Sequence, residues 1–153
     1  DAVTEPLMDP STLKGGNVKK TSKTVYGATE WILSNGAKVV VLPTDHKKDQ
    51  ILFSFYKAGG QSLIPTEDLA SFDASIFGAF QSVQGLSKFK GTDLTKVLSG
   101  KMVSVSPFID NLYNGVSGNS SVKDLETAFQ LLYLNYVDPR FDQKEFDDAT
   151  SQI

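Results

Sequence analysis

Pro65-Thr-Glu-Asp-Leu-Ala-Ser-Phe-Asp-Ala-Ser-Ile-Phe-Gly-Ala-Phe-Gln-Ser-Val-Gln-Gly85 is the stretch that sets the architecture. At about 100° per residue, Leu69, Phe72, Ile76, Phe77, Phe80 and Val83 fall on one side of a helix. Ser71, Ala74, Ser75, Gly78 and Ser82 fall on the other. One face is bulky and apolar, and its opposite is small. Thr66 is placed to cap the start, with Glu67 and Asp68 at the positive end of the dipole, and Gly85 to end it. The spacing therefore predicts one long helix over 65–85. A small face lets a helix lie close on a sheet.

Upstream, Ile51 to Ala58 reads as a strand. Leu52, Ser54, Tyr56 and Ala58 share one face, and Ile51, Phe53, Phe55 and Lys57 the other. The near-continuous apolar run predicts cover on both sides. Gly59-Gly60 follows, in a spacing that fits neither a P-loop nor a dinucleotide fingerprint. Between Val25 and Val41, Asn35-Gly36 separates two β-rich runs, which predicts a hairpin, since Asn and Gly both accept positive φ. Trp31 reads as a sheet or core residue. The polar loop Thr44 to Gln50 holds the single histidine, His46, between Asp45 and Asp49. A zinc site there needs further convergent donors, so His46 reads as solvated.

Downstream, a connection and a short helix capped by Thr92 occupy Leu86 to Gly100, with Leu94, Val97 and Leu98 inward. Two strands follow, Lys101 to Ile109 and Leu112 to Gly118. Ser121 to Tyr136 reads as a second long helix with Asp124 in a capping-box position, and Leu125, Ala128, Phe129, Leu132 and Tyr136 facing the sheet. Asp138-Pro139 stops it, and Asp142 with Glu145 starts a last helix. The acids Glu145, Asp147 and Asp148 read as capping and solvating residues. Residues 1–24, with Pro6, Pro10, Gly15 and Gly16, read as a flexible leader, strand pairing of part of it with a partner domain being the alternative. The expected domain is then 25–153.

Composition narrows the function. The chain has 153 residues, 40% hydrophobic and 22% charged, as an ordinary globular domain has. A net charge of −3 makes no electrostatic case for nucleic acid. No apolar run approaches the ~18 residues of a membrane span. Cysteine is absent, so disulfides, thiolate metal sites and cysteine nucleophiles are excluded. Neither a Gly-x-Ser-x-Gly elbow nor a histidine near the serines is present, so serine catalysis has no support. Residue 1 is Asp, as expected of a mature or excised piece.

The segment Asp68 to Phe77 resembles the zinc helix of the pitrilysin, insulysin and mitochondrial processing peptidase family, whose motif is His-x-x-Glu-His after a Gly-Leu-Ala lead. Leu69 and Ala70 fit the lead; Ser71, Ala74 and Ser75 stand at the first His, the general base Glu and the second His. None of the three can ligate zinc or deprotonate a water. The flanking chain carries the likeness further. Leu33, Asn35, Gly36, Lys38 and Val39 match the opening strand phrase, Ala58, Gly59, Gly60 and Ser62 the turn before the helix, and Phe141 the Pro-x-Phe after the second long helix. The resemblance covers roughly Thr29 to Ile153 and implies an α+β fold, a mostly antiparallel sheet with long helices on one face.

It also implies a role. The chain is expected to be a piece of a larger polypeptide, the inactive, pseudo-active-site half of a zinc protease. That half would form chamber wall and touch unfolded peptide through a surface carrying Ser71, Ser75, Gly78 and Ser82. Zinc is expected only in a catalytic half, in the same or a partner chain, and no metal, nucleic acid or membrane insertion is expected here. A bacterial envelope setting is implied by the resemblance alone. The alternative is a structural assembly protein of the same fold, like the core subunits of the respiratory cytochrome bc complex.

Overall fold

The computed structural model describes residues 5–72, 77, 80, 81 and 83–151. The chain divides into two compact units, one made of Asp9–Lys48 and the other of Asp1–Met8 with Asp49–Ile153. No helix among the described residues is long and apolar enough to cross a membrane.

The Asp9–Lys48 unit is a three-stranded antiparallel sheet in the order β1 (Val18–Lys23), β2 (Thr29–Leu33), β3 (Lys38–Val41). Part of the expected leader is thus a strand, paired through Thr21 with Trp31 and Lys23 with Thr29. Its sequence, VKKTSK, has no apolar alternation, and nearly all of it is exposed, so pairing rather than burial defines it. The Asn35-Gly36 hairpin forms as expected, but only Gly36 has positive φ, at 86°. Gly36 N–H donates to the Leu33 carbonyl, and Asn35 Oδ1 accepts the Ala37 N–H at 3.0 Å. Asn35 therefore works through its side chain, and the left-handed residue is the glycine. Trp31 is half-buried between Thr21 and Val39.

In the other unit a second antiparallel sheet has the order β4-β6-β5, from β4 (Ile51–Ala58), β5 (Val103–Ile109) and β6 (Tyr113–Ser120). The register is continuous: Ile51 opposes Ser120 and Ala58 opposes Tyr113, while Val103 opposes Ser120 and Ile109 opposes Asn114. The expected two-sided cover of β4 is not found. β4 is an edge strand, with Leu52 72% and Tyr56 62% exposed on one face. On its other face Phe53 stacks on Phe129 at 5.6 Å and Phe55 meets Tyr136 edge-on at 5.5 Å.

Three helices are described in full: α1 (Gly91–Val97), α2 (Leu125–Val137) and α3 (Gln143–Thr150). Thr92 lies inside α1, whose N-cap is Lys90. α2 lies on β5 and β6, burying Ala128, Leu131 and Leu134. The predicted inward residues Phe129 and Tyr136 flank that row and stay half-exposed, because they reach out over the edge strand. Leu131 and Leu134 form a core with Leu7, Leu86, Phe89 and Val97, against which Met8, Leu94, Leu98, Val103 and Val105 pack. Burying one such side chain stabilises the unit by about 1.5–3 kcal/mol. Leu7 falls inside the expected tether, yet it is part of this core.

The predicted long helix over 65–85 is corrected at its start. Pro65 to Asp68 is a turn, with Asp68 N–H donating to the Pro65 carbonyl at 2.9 Å, and Leu69–Ser71 is a single 3-10 turn. Phe72 then goes extended, at φ −96° and ψ 123°. Thr66 therefore caps no long helix. Phe77, Phe80, Gln81, Val83 and Gln84 are helical, and Gly85, at φ 76°, follows them. The buried side chains here are Phe80 and Gln84, while Val83 and Leu69, both predicted inward, are exposed.

Candidate functional site

Of the five small-face residues, Ser71 is exposed in the 3-10 turn, its N–H donating to the Asp68 carbonyl at 3.0 Å. Ala74, Ser75, Gly78 and Ser82 lie outside the described residues. Because Phe72 is extended, the i, i+3, i+4 spacing that puts a zinc motif on one helix face does not run on from Ser71. His46 sits exposed on its loop. Asp49, at φ 55°, uses Oδ1 to accept the Val122 N–H at 2.9 Å. Glu145 starts α3, Asp147 accepts from Gln143 at 2.8 Å, and Asp148 pairs with Lys144 at 2.6 Å. Among the described residues, no three His, Cys, Asp or Glu side chains converge as a metal site would require.

The structure instead draws attention to the outer edge of β5. Asp110 N–H donates to the Tyr113 carbonyl and Ser121 N–H to the Met102 carbonyl. With the register of Ser104 on Asn119 and Ser106 on Ser117, this phase directs Ser104, Ser106 and Phe108 toward β6. Val103, Val105, Pro107 and Ile109 direct their backbone groups away, and β5 is the last strand of its sheet. Pro107 has no N–H, so strand addition is blunted there. Val103 and Val105 keep both N–H and C=O without a backbone partner among the described residues.

Beside this edge lies a groove of about 340 Å³. Leu86, Leu94, Leu98 and Leu131 make its apolar walls, with Gln81 and Asn135 adding amides, and none of the described residues lining it is charged. α1, α2 and β5 thus supply three sides of an uncharged trough with open main-chain groups along one of them. Sequence reasoning passed over this place, although a proline inside a predicted strand is itself an edge signal.

The groove is positioned by polar clamps. Asp124, 3% exposed, accepts the Met102 N–H at 2.8 Å and the Ser121 hydroxyl at 2.8 Å, while its own N–H donates to Ser121 Oγ. The Met102 N–H, followed by the Ser121 hydroxyl, holds the Asp124 carboxyl below its ordinary range. Gln84, fully buried, accepts the Asp142 N–H at 2.8 Å. Asp142 caps α3 through the Glu145 N–H at 3.2 Å and pairs with Arg140 at 3.1 Å. The Glu145 N–H first, and Arg140 after it, hold the Asp142 carboxyl low.

No protein-family profile matches the chain, and no curated protein matches it in sequence. Its fold, however, is similar to that of solved structures. Against the periplasmic protease PqqL from Escherichia coli the TM-score is 0.79 at 15% identity, over 98% of this chain. Against the ferredoxin protease FusC, solved as a point mutant in complex with Arabidopsis ferredoxin, it is 0.75 at 19% identity, again over 98%. This chain spans 16% of the length of each. The likeness establishes the fold, an α+β arrangement shared with a part of each of these longer chains.

Proposed function

We propose that this chain is a non-catalytic, pseudo-active-site domain of a pitrilysin-like zinc protease, forming chamber wall and holding unfolded peptide for a catalytic half. The observation that carries the reading is the edge of β5, open among the described residues, beside a groove whose described lining is uncharged. An extended polypeptide can add to such an edge as a further strand. Main-chain hydrogen bonds then give affinity, and alternate side chains enter the groove. Recognition through main chain tolerates many sequences, which suits a wall meeting unfolded substrates. The likeness in fold to two proteases that are each several times longer supports a protease fragment.

Ser71, Ala74 and Ser75 offer neither zinc ligand nor base. Zinc and hydrolysis are therefore assigned to a catalytic half, in the same polypeptide or a partner chain. A periplasmic setting, as for PqqL, is the expected one.

The test is fluorescence anisotropy with a labelled, unstructured polypeptide, comparing the chain with its Val105→Pro variant. That substitution removes one outward N–H and leaves the ladder to β6 in place. Binding should weaken by about three- to tenfold, and neither protein should cut the peptide. Equal binding by the variant, or cleavage by the chain alone, overturns the reading.

A further inference from the structure

Residues Glu5–Met8 form neither helix nor strand, and among the described residues no backbone hydrogen bond ties them down. Three side chains hold the segment, with Met8 packed against the same core as Leu7. Leu7, 6% exposed, sits in the cluster of Leu86, Phe89, Val97, Leu131 and Leu134. Glu5 pairs with Lys88, whose ammonium also lies over the Phe89 ring at 5.3 Å. One short loop thus supplies both an apolar wall for Leu7 and a cation for the acid two residues before it. Leu86 and Leu131 line the groove beside β5 as well, so the Leu7 socket and that groove share walls.

This is an unusual way to fill a core. Buried side chains normally arrive on elements whose backbones are bonded into the fold. Leu7 arrives on an irregular segment anchored by itself, by Met8 packed against the same cluster and by an exposed ion pair, and exposed pairs of this kind hold weakly. Segments without backbone bonds open at low cost relative to the whole domain. The seated residues also display what the socket accepts, an extended stretch with a large aliphatic side chain and an acid two positions earlier.

We infer that Glu5–Met8 is a displaceable plug, and that the socket it fills binds the aliphatic side chain of an extended peptide, Lys88 favouring an acidic residue two positions ahead. The inference rests on the peptide-holding reading above, because the socket shares Leu86 and Leu131 with that groove. An incoming peptide competes with the plug, so its apparent affinity falls by the fraction of molecules in which the socket is closed.

The probe is a fluorescein-labelled peptide with the sequence of residues 5–13, EPLMDPSTL, titrated by anisotropy against the chain and two variants. Leu7→Ala empties the socket and should tighten binding about tenfold. Glu5→Lys sets a like charge against Lys88 while leaving the socket whole, and should tighten it about threefold. A probe with Lys in place of its leading Glu should bind about threefold more weakly. Unchanged affinity in both variants overturns the plug, and so does a Leu7→Ala chain that unfolds while Glu5→Lys gains nothing. If an unstructured polypeptide still binds in a Val105-dependent way, only the plug falls. If the chain and both variants bind no peptide at all, the peptide-holding reading falls with it.

Discussion

The Asp124 carboxylate accepts the backbone N–H of Met102 at 2.8 Å, joining the start of α2 to the residue before β5. The same carboxylate takes the Ser121 hydroxyl, so the turn that opens α2 and the start of β5 meet on one buried group. These bonds favour the ionised form and lower its pKa on folding from 3.8. Asp142 is lowered from the same value by the Glu145 N–H. A carboxyl whose pKa drops on folding stabilises the fold fully above its unfolded value and loses that contribution as pH falls through the folded one. Stability should therefore be flat above about pH 5 and fall below pH 3.8. Asp124→Asn should flatten the acid limb and lower the midpoint of thermal unfolding at neutral pH. Melting curves from pH 2 to 7 check this, and an acid limb as steep in the variant as in the parent would assign the effect elsewhere.

Gln84 ties the helical residues before Gly85 to the start of α3. Its Oε1 accepts the Asp142 N–H at 2.8 Å, and it is fully buried. Gln84→Ala leaves that N–H without its partner, which should cost about 1–3 kcal/mol in urea unfolding. Gln84→Glu keeps an acceptor but places a charge in a buried site close to the Asp142 carboxylate, so it should do worse than alanine at pH 7 and recover as pH falls. A glutamate variant as stable as the parent at neutral pH would show that the site is wetter than its burial indicates.

Ala128 is 0% exposed where α2 meets the sheet. Ala128→Leu adds volume where none is free and should destabilise by about 1–3 kcal/mol. The urea midpoint should fall with an unchanged m-value, and a variant as stable as the parent would mean that α2 can lift from β5 and β6 at no cost.

Much of this was legible because it is local. Asn35-Gly36 announces its hairpin, β5 alternates as far as Pro107 before Asp110-Asn111, and Asp138-Pro139 ends α2. What was missed depends on partners distant in sequence. β1 carries no apolar alternation, so only its pairing with β2 reveals it. An apolar run such as β4 reads the same at an edge as in the middle of a sheet. Turn bonds from Asp68 to Pro65 and from Ser71 to Asp68 took up groups that a helix starting at Thr66 would have used. Leu7, a lone aliphatic among prolines and acids, gives no periodic signal. The β5 edge was written in Pro107, but the groove beside it is made by Leu86, Leu94 and Leu131, which no spacing rule brings together.

Gly115 on β6 opposes both Tyr56 and Phe108. A Cβ there would lie 2.0 Å from the Phe55 carbonyl oxygen, a backbone atom that no rotamer change can move. Gly115→Ala should therefore force β4 away from β6 and destabilise by about 2–4 kcal/mol. Amide exchange should show the loss first in the β4 ladder, with Val103 to Ile109 less affected. Uniform loss across both ladders would mean that the sheet opens as a single unit.

The final prediction concerns rebuilding the motif. Introducing the pitrilysin motif as Ser71→His, Ala74→Glu and Ser75→His would make a zinc pair if all three positions shared one helix. Ser71, however, closes a 3-10 turn and the extended Phe72 follows it, so the helix that would set a histidine at 71 one turn from its partner is broken at 72. Two imidazoles that do not converge make a weak, open site, whereas zinc sites of this kind need three protein ligands in tetrahedral geometry. Calorimetric titration of the triple variant with zinc should thus show no stoichiometric binding beyond that of the parent chain. Tight one-to-one binding would mean that residues 66–72 can wind into a continuous helix, and that loss of the three side chains alone, rather than of the scaffold, emptied the site.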